Sequence, residues 1–416
     1  MKKFKKFLLC FVLSIFIFKL PITSLEINIA SPSHKEILTK VNMKEWTIML
    51  YDDADFNRAY DPLDDFAKEA YSSEYVNVLV LQDKKGSEAK LWYIDENHEK
   101  QLLEEMGELN MGDYTTLRDF IIKAKTDFPA RRYILFLYNH GGGWRGACWD
   151  TTDNDWLTMD EIKRALTEAG GINIIGFTAP CLMGCLEGAY ELRECVDVYI
   201  GSEEMSGYSL WYNSINQLCD LLNGMPNIST LELGKEIIEM IKENNPYFGT
   251  IKDYIYRLIM FLTGRIFYLY PPDRTISAVR TDKLDELIIE IDKFSQHLIK
   301  ILGKKEKDIT FARNFAEDFP RPMLPFSIRG EFVDVYSFAE LSEKFGLANT
   351  KNIRELLKQT IIAEYHQVGH WRAHGLSLYF PPKNSIYIYD ESYAKCGLDF
   401  TEDTHWDEFL TAYLNK

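Results

Sequence analysis

Continuous apolar runs along the first half of the chain predict buried β-strands. The runs Trp46–Tyr51, Val76–Gln82 and Tyr133–Tyr138 carry apolar residues at consecutive rather than alternating positions, and shorter runs of the same kind occupy 90–94, 172–177 and 197–201. Such runs are typical of strands that are covered on both faces. The stretches between them repeat apolar residues at helical spacing, namely 61–71, 116–126, 158–169 and 184–194. Strands alternating with helices predict an α/β fold with a mostly parallel sheet flanked by helices.

The pattern changes after residue 215. Helical spacing predominates over 215–267, 282–302 and 349–367, and only 275–279 and 375–380 predict strands. We therefore expect a catalytic α/β core over 45–215 and a C-terminal, mostly helical part over 216–416 that completes the fold. Residues 25–44 are polar and irregular, which predicts an N-terminal tail or pro-segment.

The first 24 residues differ in composition from the rest of the chain. Four lysines precede a nearly unbroken apolar run, Phe7–Phe18, and Pro21 then interrupts the helix before small residues. This is the arrangement of a secretory signal peptide. The run is short for a membrane span, which needs roughly 20 apolar residues. We predict that residues 1–24 are removed and that the protein is secreted; a retained membrane anchor is the alternative.

Composition narrows the choice of partners. The 416 residues carry a formal net charge of −16, so neither nucleic acid nor a membrane surface is expected as a stable partner after signal cleavage. Of the seven cysteines, Cys10 belongs to the leader. The remaining six are too few for a disulfide scaffold, and whether any of them pair is left open.

Two predicted strands end in residues suited to thiol chemistry. The strand at 133–138 is followed by Asn139-His140-Gly141-Gly142, and the strand at 172–177 by Thr178-Ala179-Pro180-Cys181. A single helix separates them, so both strands are neighbours in a parallel sheet and their ends reach the same rim. A thiolate beside an imidazole is the arrangement that nucleophilic cysteine catalysis requires. We predict Cys181 as nucleophile and His140 as its proton-transfer partner.

Backbone donors are expected beside this pair. Gly141 and Gly142 leave N–H groups near the reacting carbonyl, and the N–H of Cys181 at the start of the next predicted helix would complete an oxyanion hole. Each feature alone has an ordinary explanation: a loop histidine, a tight glycine turn or a cysteine packed in the core. Only their convergence on one rim favours catalysis.

Other chemistries are less favoured. Cys185 is a rival nucleophile, but four residues after Cys181 it would lie one turn into the helix and point away. The histidines at 366, 370 and 374 lack a glutamate at zinc-ligand spacing, so no metal site is assigned. Asp150, Asp153 and Asp155 have oxygen-rich spacing that calcium could use, although a solvated turn is preferred. The thiol mechanism requires no cofactor.

The motifs at this rim resemble those of the clostripain-type cysteine peptidases, in the caspase-like group. NHGGGW at 139–144 is similar to the family's His-Gly motif, and CLMGCLEGAYEL at 181–192 to its nucleophile segment. Further similar blocks run in the same order along 45–414, at 46–56, 109–121, 199–204, 275–284, 375–382 and 399–414. The resemblance implies a caspase-like fold and an endopeptidase that hydrolyses polypeptide substrates with a Cys/His dyad.

One position departs from the family pattern. The family usually has Asp-Ala directly before the nucleophile, and that Asp helps to form an acidic S1 pocket selecting Arg or Lys. Here Thr178-Ala179-Pro180 stands in its place, so we expect a weaker preference for basic residues at P1. Thr178 and Ala179 would line the pocket, with Glu203 and Glu204 as replacement carboxylates. A structural role at the next helix start is the alternative for these two glutamates.

The resemblance also raises the question of self-cleavage and activity. Some family members are activated by cleavage between the histidine and cysteine segments, and Arg145 lies there in a glycine-flanked loop. It is therefore a possible autoprocessing site. The altered turn before Cys181 keeps an alternative function open, a catalytically weak or inactive relative that acts as a binding or adhesion protein on the same scaffold.

Overall fold

The structure is a computed structural model that describes residues 43–55, 62–177, 179–206, 212–244, 274–320, 330–383 and 390–414. The predicted signal peptide lies outside the described residues, as do most of the tail at 25–44 and Thr178 of the predicted pocket. Among the helices of the described ranges, none combines the length and the apolar composition that crossing a bilayer requires.

The described strands are β1 (Lys44–Ala54), β2 (Val76–Lys84), β3 (Ala89–Ile94), β4 (Lys100–Gly107), β5 (Ala130–Tyr138), β6 (Ala147–Asp150), β7 (Asp155–Leu157), β8 (Ile172–Phe177), β9 (Val196–Gly201), β10 (Thr275–Arg280), β11 (Asp318–Phe319), β12 (Phe332–Asp334), β13 (Ile361–His366) and β14 (Ser377–Tyr379). The described α-helices are α1 (Pro62–Glu69), α2 (Tyr114–Asp127), α3 (Met159–Glu168), α4 (Leu186–Glu191), α5 (Tyr212–Gly224), α6 (Thr230–Asn244), α7 (Leu284–Phe315), α8 (Val335–Lys344), α9 (Lys351–Thr360), α10 (Asp399–Asp403) and α11 (Trp406–Leu414).

One nine-stranded sheet organises the chain, in the order β13-β10-β9-β8-β5-β1-β2-β3-β4. The five central strands, from β9 to β2, run parallel. Both edges are antiparallel, with β3 and β4 at one side and β10 and β13 at the other. The expected fold class is confirmed. The strands β10 and β13 come from beyond residue 215, so the C-terminal part supplies one edge of the same sheet.

The strand β1 explains why the central runs are apolar at every position. Ile48 and Leu50 belong to the core cluster that α1, α5 and α6 cover. Tyr51 points to the opposite face, where its ring lies 6.1 Å from that of Phe120 on α2. Because helices cover both faces, every side chain of the strand from Trp46 onward is buried.

Three helix predictions differ from the structure. The helix expected over 349–367 ends at Thr360, because the following residues pair antiparallel with β10 and form the edge strand β13. Within the described part, the helix expected over 215–267 is divided into α5 and α6 around Pro226, which cannot continue a helix. The helix expected over 184–194 is only the six-residue α4.

Two small sheets were not predicted as sheets. The strands β6 and β7 form a hairpin directly after the histidine segment. The second small sheet has the order β11-β12-β14, and the strand predicted at 375–380 contributes only β14 to it. Strands of two to four residues carry too little alternation to be recognised in the sequence.

Candidate active site

The histidine loop, residues 139–146, begins where β5 ends. Asn139 has a φ of 139°, a conformation that residues with side chains rarely adopt. Its side-chain Nδ2 donates to the carbonyls of Asp53 (3.0 Å) and Trp149 (2.9 Å), and its Oδ1 accepts from the N–H of His140. The buried amide therefore holds the strand end in the conformation that presents His140, a positioning role that the sequence did not reveal.

Backbone hydrogen bonds join the hairpin β6–β7 to the same loop. The N–H of Cys148 donates to the carbonyl of His140 at 3.0 Å, and the N–H of Gly142 donates to the carbonyl of Gly146 at 2.9 Å. Gly142 is thus already bonded, so the expectation that its N–H serves an oxyanion is wrong.

The cysteine loop, residues 179–185, follows β8 and runs along the end of β9. The N–H of Leu182 donates to the carbonyl of Glu204 at 3.2 Å, and the N–H of Gly184 to that of Ser202 at 2.7 Å. Leu182, directly after Cys181, has a φ of 63°, which costs a leucine on the order of 1–2 kcal/mol. Unusual backbone conformations therefore stand next to both candidate catalytic residues.

Cys181 does not begin a helix. The helix α4 begins at Leu186 with Cys185 as its N-cap, so the predicted helix N-terminus at Cys181 is wrong. Cys185 itself is fully buried, and burial raises the pKa of its thiol well above the ordinary value. A side chain without access to the cleft cannot attack a substrate, which leaves Cys181 as the candidate.

The two loops touch at Gly141. A Cβ at this position would lie 2.7 Å from the carbonyl oxygen of Cys181 and 2.7 Å from the Cβ of Pro180, so only glycine allows the approach. The same point would be 2.9 Å from the backbone nitrogen of Cys181. Within the described ranges, neither the N–H of Gly141 nor that of Cys181 has a hydrogen-bond acceptor. Two unused backbone donors therefore lie side by side at the candidate nucleophile.

Electrostatics keeps both candidate catalytic groups uncharged at rest. Burial raises the pKa of the Cys181 thiol, and the charge of Glu204 raises it further, while the Ser206 carbonyl, 4.0 Å from Sγ, acts in the opposite direction. His140 is exposed at the surface of the loop, and its partial burial lowers the pKa of the imidazole. A neutral thiol beside a neutral imidazole is the resting state at neutral pH.

Glu203 and Glu204 do not reach the cleft surface. Both are at most 1% exposed. An oxygen of Glu203 accepts from the N–H of Gly375 at 2.9 Å, and Glu204 accepts from the N–H of Met205 at 2.8 Å and lies 3.4 Å from Nε2 of the buried His370. The expectation that they line a substrate pocket is wrong, because the end of β9 turns them into the interior. Ala179 is buried as well.

The three histidines that the sequence does not support as zinc ligands each contact a carboxylate. Nδ1 of His370 is 3.0 Å from Glu317, His374 is 3.1 Å from Asp334, and His366 is 2.8 Å from Glu364. These pairs account for the three side chains as structural or surface groups.

An acidic cluster stands at the same rim, where β2 and β6 end and directly after β4. Carboxylate oxygens of Asp83, Glu108 and Asp150 lie within 4.8 Å of one another. Burial and the neighbouring carboxylates raise the pKa of Asp83 to about 7. Asp150 also closes the β6–β7 turn by accepting from the N–H groups of Thr152 and Asp153. These oxygens could hold a hard divalent cation. The cluster shares only Asp150 with the set of Asp150, Asp153 and Asp155 that the sequence offered for calcium.

Arg145 is not a free loop residue. Its guanidinium forms a two-pronged ion pair with Glu331, both contacts at 3.2 Å, and its Nε lies 3.2 Å from Asp390. It also lies over the ring of Trp144, 4.6 Å from the centroid. Cleavage after Arg145 would require these contacts to open, so the loop is less accessible than its glycines predicted.

Comparison with known proteins agrees with this architecture. The profile of the Clostripain family matches residues 47–413. Clostripain from Hathewaya histolytica is 32% identical over a match that covers 40% of this chain and 38% of that protein. The chain thus matches well under half the length of this relative.

Two solved structures share the fold. One is an inactive zymogen C11 protease from Parabacteroides distasonis, with a TM-score of 0.63, 17% identity and coverage of 87% of this chain and 99% of that one. The other is a secreted C11 cysteine protease from Bacteroides thetaiotaomicron in complex with an irreversible peptide inhibitor, with a TM-score of 0.60, 17% identity and the same coverage. With the profile match over nearly the whole described chain and a histidine and a cysteine loop in contact at one rim, the chain belongs to the clostripain family.

Proposed function

We propose that this protein is a cysteine endopeptidase that uses Cys181 and His140. The observation that carries the proposal is the contact at Gly141, which places the histidine loop directly against the backbone of Cys181. Related C11 proteins are named as cysteine proteases, and one of them as a complex with an irreversible peptide inhibitor, which supports polypeptides as the substrate class.

The residues suggest the following sequence of steps. His140 accepts the thiol proton as Sγ of Cys181 attacks the substrate carbonyl carbon, and the N–H groups of Gly141 and Cys181 receive the developing oxyanion. His140 then returns the proton to the leaving amine as the peptide C–N bond breaks. Water, deprotonated by the same imidazole, hydrolyses the thioester and releases the thiol. No step uses a cofactor.

Thiol labelling tests the mechanism most directly. We expect iodoacetamide to label wild type at Cys181 at neutral pH, and an internally quenched peptide to be cleaved. Cys185→Ala is the matched control, since it removes a buried thiol four residues away. Labelling without any cleavage across a broad peptide library would favour the alternative of an inactive binding protein on the same scaffold.

For specificity we propose a moderate preference for Arg or Lys at P1. Burial is the main cause that raises the pKa of the Cys181 thiol, and the charge of the buried Glu204 adds to it; the protein as a whole is acidic. A substrate cation near Cys181 is attracted by the same field without forming a direct ion pair, so the preference should be modest and sensitive to salt. The ratio of kcat/KM for P1 Arg against P1 Gln, measured at low and high ionic strength, tests this. A ratio near one at low salt would contradict it.

A divalent cation such as calcium is proposed only as a stabilising ion. Asp83, Glu108 and Asp150 are the residues that would hold it, because its charge would offset carboxylates that raise one another's pKa. We expect added calcium to raise the melting temperature of wild type but not of Asp83→Asn. Equal melting curves with calcium and with chelator would exclude the site.

We propose secretion from the leader at 1–24, supported by a similar protein described as secreted. N-terminal sequencing of exported protein should find a start between roughly residues 20 and 26. A membrane-held protein that still begins at Met1 would contradict this.

A further inference from the structure

A cavity of about 320 Å³ lies beside the candidate catalytic histidine. Its lining consists of His140, Gly141, Gly142, Arg145, Gly146, Ala147, Trp149 and Trp156. Apart from His140 and Arg145, these are glycine, alanine and tryptophan, so the cavity offers apolar surface. Its size is at the lower end for ligand cavities, which suits one side chain rather than a large cofactor.

The two tryptophans, stacked on each other, form one wall of the cavity. They face each other across the β6–β7 hairpin, with ring centroids 5.1 Å apart and planes 4° from parallel. Trp149 is 38% and Trp156 39% exposed. The exposed parts of these two rings offer an aromatic surface against which an apolar side chain can pack.

The wall is fixed relative to the histidine loop. The backbone carbonyl of Trp149 accepts the side-chain N–H of Asn139 at 2.9 Å, and Nε1 of Trp156 donates to the carbonyl of Arg145 at 3.3 Å. The same Asn139 positions His140. The hairpin and the imidazole therefore form one unit, and the distance between the tryptophans and His140 is set by the fold.

The order of groups along the rim identifies the occupant. Gly141 contacts Cys181 on one side and pairs with Ala147 of the hairpin on the other. In the proposed reaction His140 protonates the leaving amine, so the substrate residue that carries this amine must continue past His140. The cavity lies there. We propose that it is the subsite for the P1′ side chain, the residue directly after the scissile bond, and that it selects an apolar or aromatic side chain. This inference rests on the proposed peptidase function.

The charge of Arg145 does not change the selected class. Its guanidinium is already paired with Glu331 and Asp390, so it is not available to attract an acidic P1′ side chain. A substrate with Glu at P1′ should therefore be cleaved no faster than one with Gly.

A peptide series tests the subsite. Internally quenched peptides share one P1 residue and carry Gly, Ala, Leu, Phe or Glu at P1′. We expect kcat/KM for Phe to exceed that for Gly by about tenfold or more, the discrimination that burial of an apolar side chain typically supplies. In Trp149→Ala this ratio should fall to within about threefold, because one side of the wall is lost. Phe311→Ala, which removes an exposed ring on α7 that stacks on Phe345, should keep the wild-type ratio.

Acyl transfer tests the subsite independently of peptide-bond cleavage. A peptidyl methyl ester with the same P1 residue transfers its acyl group to Sγ of Cys181 and releases methanol. This substrate has no P1′ side chain. Added phenylalaninamide or glycinamide then competes with water for the thioester: the amine nitrogen bonds to the carbonyl carbon, the C–S bond breaks, and the amine proton passes to the imidazole. We expect phenylalaninamide to capture several times more acyl group than glycinamide at equal concentration.

The outcomes separate the two proposals. If the methyl ester is hydrolysed normally but both the peptide series and the capture ratio are flat in wild type, the subsite is wrong and the peptidase stands. If the ester is not hydrolysed and Cys181 is not labelled, both are overturned. The wild-type measurements decide these points even if Trp149→Ala fails to fold.

Discussion

The histidine loop and the cysteine loop lie at one rim but in different environments. The cysteine loop is enclosed: every residue from Ala179 to Cys185 except Cys181 is buried, and its backbone is bonded to the end of β9. The histidine loop is partly open, with an exposed imidazole and an exposed tryptophan hairpin beside it. Cys181 is thus the one partly exposed residue of a buried loop, whereas His140 stands in the open part of the rim, on the side where the proposed mechanism releases the leaving amine.

This difference also sets the protonation states. Burial and Glu204 raise the pKa of Cys181, and partial burial lowers that of His140. Both shifts disfavour a resting thiolate–imidazolium pair. In the proposed mechanism the thiolate would therefore form as the substrate is attacked, with His140 as the general base.

The largest effect is expected from substitution in the cysteine loop. Cys181→Ala should reduce kcat/KM by at least about a thousandfold, because the two other described thiols near this rim, Cys148 and Cys185, are fully buried. Cys185→Ala should retain most activity. It should lower the melting temperature, because it removes a sulfur atom that is buried in the core. Cleavage of a quenched peptide and thermal melting measure the two quantities. The reverse pattern would exchange the roles of the two cysteines.

On the open side, His140→Ala should lower kcat/KM by about 10²–10⁴ with little change in melting temperature, because the imidazole is exposed. The sign of the pH dependence follows from the lowered pKa: protonated His140 cannot accept the thiol proton, so wild-type activity should fall only below about pH 6.5. A pH profile of kcat/KM measures this. An acid limb centred above pH 7 would show that the imidazole is stabilised as a cation.

The helix α4, which follows the cysteine loop, should make the free energy of unfolding depend on pH. Glu187, buried in α4, accepts from the N–H of Tyr379 and the hydroxyl of Tyr393, and burial raises its pKa from 4.5 to about 7. Between those values the unfolded state loses the proton and the folded state keeps it. The free energy of unfolding should therefore fall by up to about 3 kcal/mol as pH rises through this window.

Denaturant unfolding at several pH values measures this loss. Glu187→Gln should flatten the curve between pH 4.5 and 7, whereas the exposed Glu168→Gln should leave its shape unchanged. A wild-type protein that gains stability as pH rises through that window would contradict the assignment.

The smallest effect concerns the residue that holds the open loop in place. Asn139→Ala should lower the free energy of unfolding by about 2 kcal/mol, because the carbonyls of Asp53 and Trp149 lose their donor and alanine tolerates the positive φ poorly. Asn139→Gly removes the same donor but accepts the backbone conformation. Activity that falls equally in both variants would assign the loss to the hydrogen bonds, and recovery in the glycine variant would assign it to the backbone.

Local pattern misled at several particular places. Residues 361–366 continue a helical spacing of apolar positions, yet they form β13 because the edge of β10 offers backbone partners. Glu203 and Glu204 follow β9 as expected, but their direction depends on Gly375 and His370, which are more than 160 positions away in the chain. The Trp149–Trp156 wall depends on a hairpin too short to be read from alternation.

What the sequence determined by itself is the parallel core and the common rim at which the loops of His140 and Cys181 end. Apolar runs specify buried parallel strands, and two strands joined through one helix must present their carboxyl ends at a common rim. What only the tertiary structure decided is the surroundings of that pair: which N–H groups remain unbonded, which carboxylates turn inward, and which rings face the histidine. Buried strands and the pairing of β5 with β8 follow from local periodicity and connection length, whereas side-chain direction and desolvation depend on contacts between distant segments.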